Sequence, residues 1–449
     1  MNPERINIHN NKVLFENDKE FQKKFEKEIS PETIEKILFG SQEVFKTCRV
    51  DSELGTAFYA SNPEKRYPWI YTRDFSAIIT GLSELGDWET AKKCCNFLLN
   101  TQDNDGQWQQ KYDKEGIIKN IENTKPILQE DNTPLAVWAI LNYAKESKDT
   151  EFQESVKPKI AKALDWTQGY HAPHIEKTGL VYSTTSIHQT APYNQGYELW
   201  HNSLATKVFM LFGEIYNDEK SIAVAKSLKE NIGRKLVKDN RFIRKMDDNL
   251  QEDFTPDIIT MAPAYFDIFE PDEEVSEGLN YKEIMANTLS FTEKELRDSE
   301  MGGFWRYPNY VYQELHPEYK GEMTDPLVPG PYFIASSMAA RAYDSIGEKS
   351  KLKETVEWMA GHNKDGQFPE HLTTRERLGK YQKKEMAYMA ERKKDPVYLK
   401  GVQSNFKAME EEAKNQEVLN YSLPLCWAQI EVLRLLKLTG KIKEFKIKS

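Results

Sequence analysis

Apolar residues recur at helical spacing in twelve segments of this 449-residue chain, whereas strand-like alternation is rare and short. The segments fall at about 31–47, 73–85, 88–100, 132–147, 153–168, 198–216, 219–235, 256–268, 280–297, 331–347, 350–361 and 424–439. They come in pairs. Gly-Asp in "ELGDWETA" and Gly-Glu in "DSIGEKSK" make tight breaks between paired helices. Long loops rich in Gly, Pro, Asp and aromatic residues follow each pair. Six helical hairpins with short turns at one end and decorated loops at the other predict an all-α fold, an (α/α)6 barrel. Function is then expected at the long-loop end, where a rigid scaffold presents variable segments.

Residues 1–30 read as an N-terminal extension and 31–449 as a single barrel, with a Lys/Glu-rich helical insert at 375–417. A net charge of −10 with interspersed acids and bases argues against nucleic acid or an anionic membrane as the main partner. No apolar run approaches the roughly 20 residues a membrane span needs, and the start "MNPERINIHNNKVLF" lacks an apolar core of the secretory kind. A cytoplasmic protein is expected. The four cysteines, with Cys94 and Cys95 adjacent, offer neither a disulfide framework nor metal-ligand spacing.

Aromatic residues make up 12% of the chain, with nine tryptophans, and several lie in loops beside Gly, Pro, Asp and Arg. Such clusters suit sugar rings, whose C–H faces pack on aromatic planes while amides and carboxylates take the hydroxyls. In "YPWIYTRDFSAII", Trp69, Arg73 and Asp74 stand just before an apolar helix. Asp74 there is either a helix-capping acid or, with Arg73 and Trp69, part of a polyol site. "DNDGQWQQ" and "NKDGQFPE" each follow the second helix of a pair and place an aromatic after an Asp-Gly turn. Trp138 and Trp166, at helical spacing among apolar neighbours, read as core. His171, His174 and His188 fall in one loop region, "YHAPHIEKTGLVYSTTSIHQ", a weak zinc signal that lacks a Cys or carboxylate at ligand spacing.

The motifs "YPWIYTRD", "DGQWQQKYD", "QEDNTPLAVWA", "YELW", "FTPDIIT", "GGFWRYP", "FPEH" and "SLPLCWAQIEVL" resemble, in the same order, segments of the glucoamylase-like glycoside hydrolases of family 15. The likeness runs from about residue 35 to 438. It implies an (α/α)6 barrel that releases glucose from non-reducing ends of α-glucosides with inversion, without metal or organic cofactor. By position, Arg73 and Asp74 match the pair that holds the terminal sugar, and Arg306 a second substrate-facing arginine. Glu370 in "FPEH" matches the general base. Trp108, Gln109, Gln129, Asp131, Trp200, Tyr307, His371 and Trp427 lie in matching segments and are expected to line the pocket.

The chain departs from the family at "ELWHN": His201 stands where the resemblance places the general acid. Three readings follow. Glu198, one helical turn earlier on nearly the same face, supplies the proton, its carboxyl raised in pKa by Trp200 and Tyr197. Alternatively His201 donates as an imidazolium, or the barrel binds sugar without hydrolysing it. The expected function is an inverting exo-α-glucosidase for short malto- or isomalto-oligosaccharides, with Glu370 and Glu198 as the catalytic pair. The alternatives are a non-hydrolytic sugar-binding or regulatory protein, and a phosphorylase, against which the retained Glu370 counts. The insert at 375–417, directly after the base-bearing loop, is expected to favour short chains over polymer.

Overall fold

The computed structural model describes residues 29–64, 67–117, 129–184, 187, 195–308, 328–392 and 396–448. The apolar stripes become fourteen α-helices among them: α1 (Pro31–Cys48), α2 (Thr72–Leu85), α3 (Trp88–Thr101), α4 (Asn132–Ser147), α5 (Thr150–Thr178), α6 (Leu199–Tyr216), α7 (Glu219–Lys235), α8 (Ala262–Tyr265), α9 (Tyr281–Leu296), α10 (Phe333–Ser345), α11 (Lys349–Gly361), α12 (Arg375–Arg392), α13 (Pro396–Glu412) and α14 (Cys426–Leu438). Helix starts follow local chemistry. Ser30, Asp87, Asp149 and Asp218 accept the N–H of the third residue onward and so cap α1, α3, α5 and α7. Gly86, at φ 88°, ends α2 in the left-handed region and makes the sharp turn into α3.

Two segments differ from the sequence reading. The stretch 256–268 forms only a 3-10 turn, Ile258–Met261, and the short α8, because Pro263 starts the helix and Asp267 at φ 52° stops it. The expected loop around His171 and His174 is instead the last part of α5, which continues past Pro158 and Pro173 to a glycine cap at Gly179. A proline inside a helix removes one backbone hydrogen bond, and the remaining ladder carries the helix through it here. His188 lies outside the described residues.

Helices α2, α4, α6, α8, α10 and α14 touch in that order, and α14 returns to α2, so the inner ring of an (α/α)6 barrel closes. Inner helices are buried on nearly all sides, as Leu135–Leu141 of α4 are, whereas the outer helices α3, α5, α7, α9 and α11 bury only one face. At the C-terminal ends of the inner helices a charged network plugs the barrel. Arg434 donates to Glu431 at 2.6 Å and to Glu84 at 2.8 Å, and the Tyr265 hydroxyl donates to Glu431 at 2.8 Å. At the opposite end the N-termini of α2, α4, α6, α10 and α14 converge.

Short antiparallel pairs shape that end: Ile70–Tyr71 with Lys111–Tyr112, Tyr197–Glu198 with Lys245–Met246, and His371–Thr374 with Val418–Tyr421. Gly330 lies so close to the last pair that a Cβ there would sit 1.6 Å from the Leu372 carbonyl oxygen. Helices α12 and α13 form a separate apolar cluster in which Leu378, Tyr381, Val402 and Phe406 pack with Val328 and Tyr421, and Tyr67 packs against it. Arg377 anchors the start of α12 by donating to Asp298 at 2.7 Å and Glu300 at 2.9 Å. Among the described residues no helix is long and apolar enough to cross a membrane.

Candidate active site

Three inner-helix N-termini assemble one half of the site. Arg73, in the first turn of α2, is buried and donates through Nε and Nη2 to both oxygens of Asp131, at 3.1 and 2.7 Å. Asp131 sits at the mouth of α4 and also accepts the Trp200 indole N–H at 3.1 Å from the first turn of α6. A two-pronged guanidinium–carboxylate pair fixes orientation as well as charge. The Ile187 carbonyl accepts from Arg306 Nη2 at 2.9 Å and lies 3.5 Å from Arg73 Nη1, tying the two arginines to one loop position.

Glu370 forms the other half. Its backbone is held on both sides, its N–H donating to the Tyr421 carbonyl at 3.0 Å and its carbonyl accepting from Phe333 at 3.2 Å. The Tyr67 hydroxyl donates to its side chain at 2.8 Å. Asp74 lies near enough to feel its charge. Burial pushes the Asp74 carboxyl up to about 7, with Arg73 opposing and Glu370 adding to the rise. His371 is clamped between the rings of Tyr332 at 4.4 Å and Tyr421 at 4.3 Å, and the Arg306 guanidinium lies 5.2 Å from the Tyr332 ring centroid. This stack links the strand that follows Glu370 to the Arg306 guanidinium.

Glu198 and His201 occupy the start of α6, both fully buried. Glu198 stands directly opposite Lys245 in an antiparallel pair, which puts their side chains on one face. Lys245 is itself buried, and burial brings its ammonium down to about 8, aided by Arg244 and opposed by Asp253, Glu198 and Asp247. Burial also lowers His201 to about 4 despite the nearby Asp131 carboxylate. Burial thus favours the neutral imidazole near pH 7 and weighs against the imidazolium donor expected from the sequence.

Several expected pocket residues turn out to hold other groups. Trp108 is a correction: its ring is buried in the core and its N–H is spent on the Leu98 carbonyl at 2.7 Å. Trp200 and Asp131 brace Arg73, and the Trp200 ring packs on Phe266 at 4.7 Å. Gln109 turns back to Asp103 at 2.5 Å. Gln129 and Tyr307 are buried. Trp69 is half-buried, with the Lys111 ammonium 5.7 Å from its ring. Trp427, at the mouth of α14, is buried, and its indole N–H has no acceptor among the described residues. Trp138 is core, but Trp166 is only half-buried and stacks on Tyr170 at 5.2 Å. Tyr67 was missed although it opens the "YPWIYTRD" motif, because its bond to Glu370 spans 303 residues and leaves no local pattern. Among the described residues, no three His, Cys, Asp or Glu side chains gather as a metal site.

This (α/α)6 barrel has the fold of the glucoamylases. A glycosidase variant solved in complex with glucose superposes with a TM-score of 0.63 at 13% identity over 92% of this chain and 99% of that one. A bacterial glucoamylase complexed with acarbose gives 0.56 at 13% identity, covering 92% of this chain and 56% of the other. The glucoamylase from Saccharomycopsis fibuligera gives 0.52 at 13% identity, over 91% and 96%. No protein-family model and no curated protein sequence matches the chain.

Proposed function

We propose that the protein is an inverting exo-α-glucosidase acting on short α-glucosides, with Glu370 as general base. The observation that carries this reading is Glu370, its backbone clamped and its side chain bonded to Tyr67 and beside Asp74, at the end of the barrel where the inner-helix N-termini converge. The glucose and acarbose complexes of the structural neighbours support a sugar ligand. In the reaction, Glu370 takes a proton from water as the water oxygen attacks the anomeric carbon. The bond to the leaving oxygen breaks, and that oxygen takes a proton from a second carboxyl. Inversion needs two carboxyls on opposite faces of the sugar, about 6.5–9.5 Å apart, and we assign this step to Glu198, the carboxyl at the mouth of α6. Asp74, Arg73 and Arg306 hold the terminal ring.

A second reading, a sugar binder without hydrolysis, is favoured by two observations: burial lowers the His201 pKa, and Glu198 stands opposite the ammonium of Lys245. The two separate in one experiment. Maltose, isomaltose, trehalose and 4-nitrophenyl α-glucoside are incubated with the protein and product anomers are followed by NMR. β-Glucose as first product supports the inverting enzyme. Sugar-dependent line broadening without product supports the binder, and α-glucose as first product sinks the inverting mechanism.

A further inference from the structure

Asp257, in the motif "FTPDIIT", and Arg244 are both buried and meet as an ion pair, with Arg244 Nε 3.0 Å from Asp257 Oδ2. A second prong of the guanidinium donates through Nη1 to Asp253 at 2.8 Å. Asp257 divides its carboxylate between two tasks. Its other oxygen accepts the Ile259 N–H at 3.0 Å and so caps the 3-10 turn Ile258–Met261. Because a guanidinium presents its donors in a rigid planar fork, the two carboxylates around it are fixed in direction as well as in charge.

Each partner of the pair reaches the site through its backbone. Ile258, directly after Asp257, donates its N–H to the Arg306 carbonyl at 2.9 Å. The Arg244 carbonyl accepts at 3.0 Å the N–H of Leu199, the first residue of α6 and the neighbour of Glu198. One ion pair therefore spans from the backbone of an arginine assigned to the sugar to the mouth of an inner helix. As a source of stability it is a poor choice, since desolvating two charges offsets most of their attraction and apolar side chains of similar volume serve as well. Its geometry is what an apolar replacement would not reproduce.

We propose that Arg244 and Asp257 are positioning residues: their ion pair sets the backbone of Arg306 against the start of α6, and through Arg306 it sets the affinity for the terminal sugar ring. The inference rests on the sugar-site reading above, in which Arg306 holds that ring. Its test titrates glucose by NMR, which reads weak binding, against the parent, Asp257→Asn and the pair variant Arg244→Met/Asp257→Asn. Asparagine keeps an oxygen for the Ile259 N–H, and methionine keeps an apolar stem in place of the arginine. Asp257→Asn alone weakens the pairing of a buried guanidinium and should melt below the parent, whereas the pair variant carries neither charge and should melt with it. Both should bind glucose at least about tenfold more weakly than the parent. In an Arg306→Ala background the same substitutions should change glucose affinity by less than about twofold, because a residue that acts through Arg306 loses its effect when that side chain is gone. Parent-like glucose affinity in both variants overturns this inference alone and leaves the pair a structural one. Equal losses with and without the Arg306 side chain overturn it as well, since the pair then acts on the fold at large. Failure of the folded parent to bind glucose overturns the sugar-site reading together with this one.

Discussion

Replacing Asp74 by asparagine removes the one charge that its pocket resists. Burial holds the Asp74 carboxyl at about 7, against an ordinary aspartate value of 3.8. Retained in full, that shift corresponds to about 4 kcal/mol of folding free energy. Asp74 is only half-buried, which scales the effect to about 2 kcal/mol. The sign follows from proton binding. Between pH 4 and 7 the folded protein keeps this proton while the unfolded chain has lost it, so stability falls as pH rises through the window and levels off above about 7. Asparagine cannot ionise, and Asp74→Asn should therefore gain on the parent by about 2 kcal/mol from pH 4 to pH 8. With an unfolding entropy of about 2.1 cal/mol/K per residue, 449 residues convert this to about 2 °C in Tm. Differential scanning calorimetry of both proteins at pH 4.5, 6 and 8 reads it directly. Parallel Tm–pH curves would show that Asp74 titrates as an exposed carboxylate and would refute the reasoning.

Glu370→Gln should keep the Tm and sugar affinity but lower turnover by about 10²–10⁴, and parent-like rates would remove Glu370 from the mechanism. Glu198→Gln should slow hydrolysis of a disaccharide far more than that of α-glucosyl fluoride, whose leaving group needs little protonation; equal losses would make Glu198 a binding residue. Asp131→Ala strands the buried Arg73 guanidinium, so a loss of about 3–5 kcal/mol, seen as a lower Tm, should accompany weaker glucose binding. An unchanged Tm would show that Arg73 finds another partner. Helices α12 and α13 pack beside Tyr67 and Tyr421, so maltotriose should be turned over well ahead of soluble starch, and comparable rates would dismiss the insert as a filter.

What the sequence determined by itself was the succession of helices, because apolar spacing and capping chemistry act within a few residues. The breaks at Gly86 and Gly347 and the caps at Asp87 and Asp218 are local, and the twelve paired segments could be read from them. The candidate residues at the inner-helix N-termini stand out for the same reason, since Arg73, Asp74 and Glu370 all fall in loops or first turns that no apolar stripe requires. What each polar side chain does there was decided by partners remote in the chain. Asp131 is 58 residues from Arg73 and 69 from Trp200, so its role as a brace has no sequence signature. Trp108 looked like a pocket aromatic until the carbonyl of Leu98 claimed its N–H. His201 looked able to carry a proton until the fold enclosed it against His171 and burial made its charge costly. Desolvation and hydrogen bonding depend on which atoms surround a group, and only the closed barrel supplies those atoms.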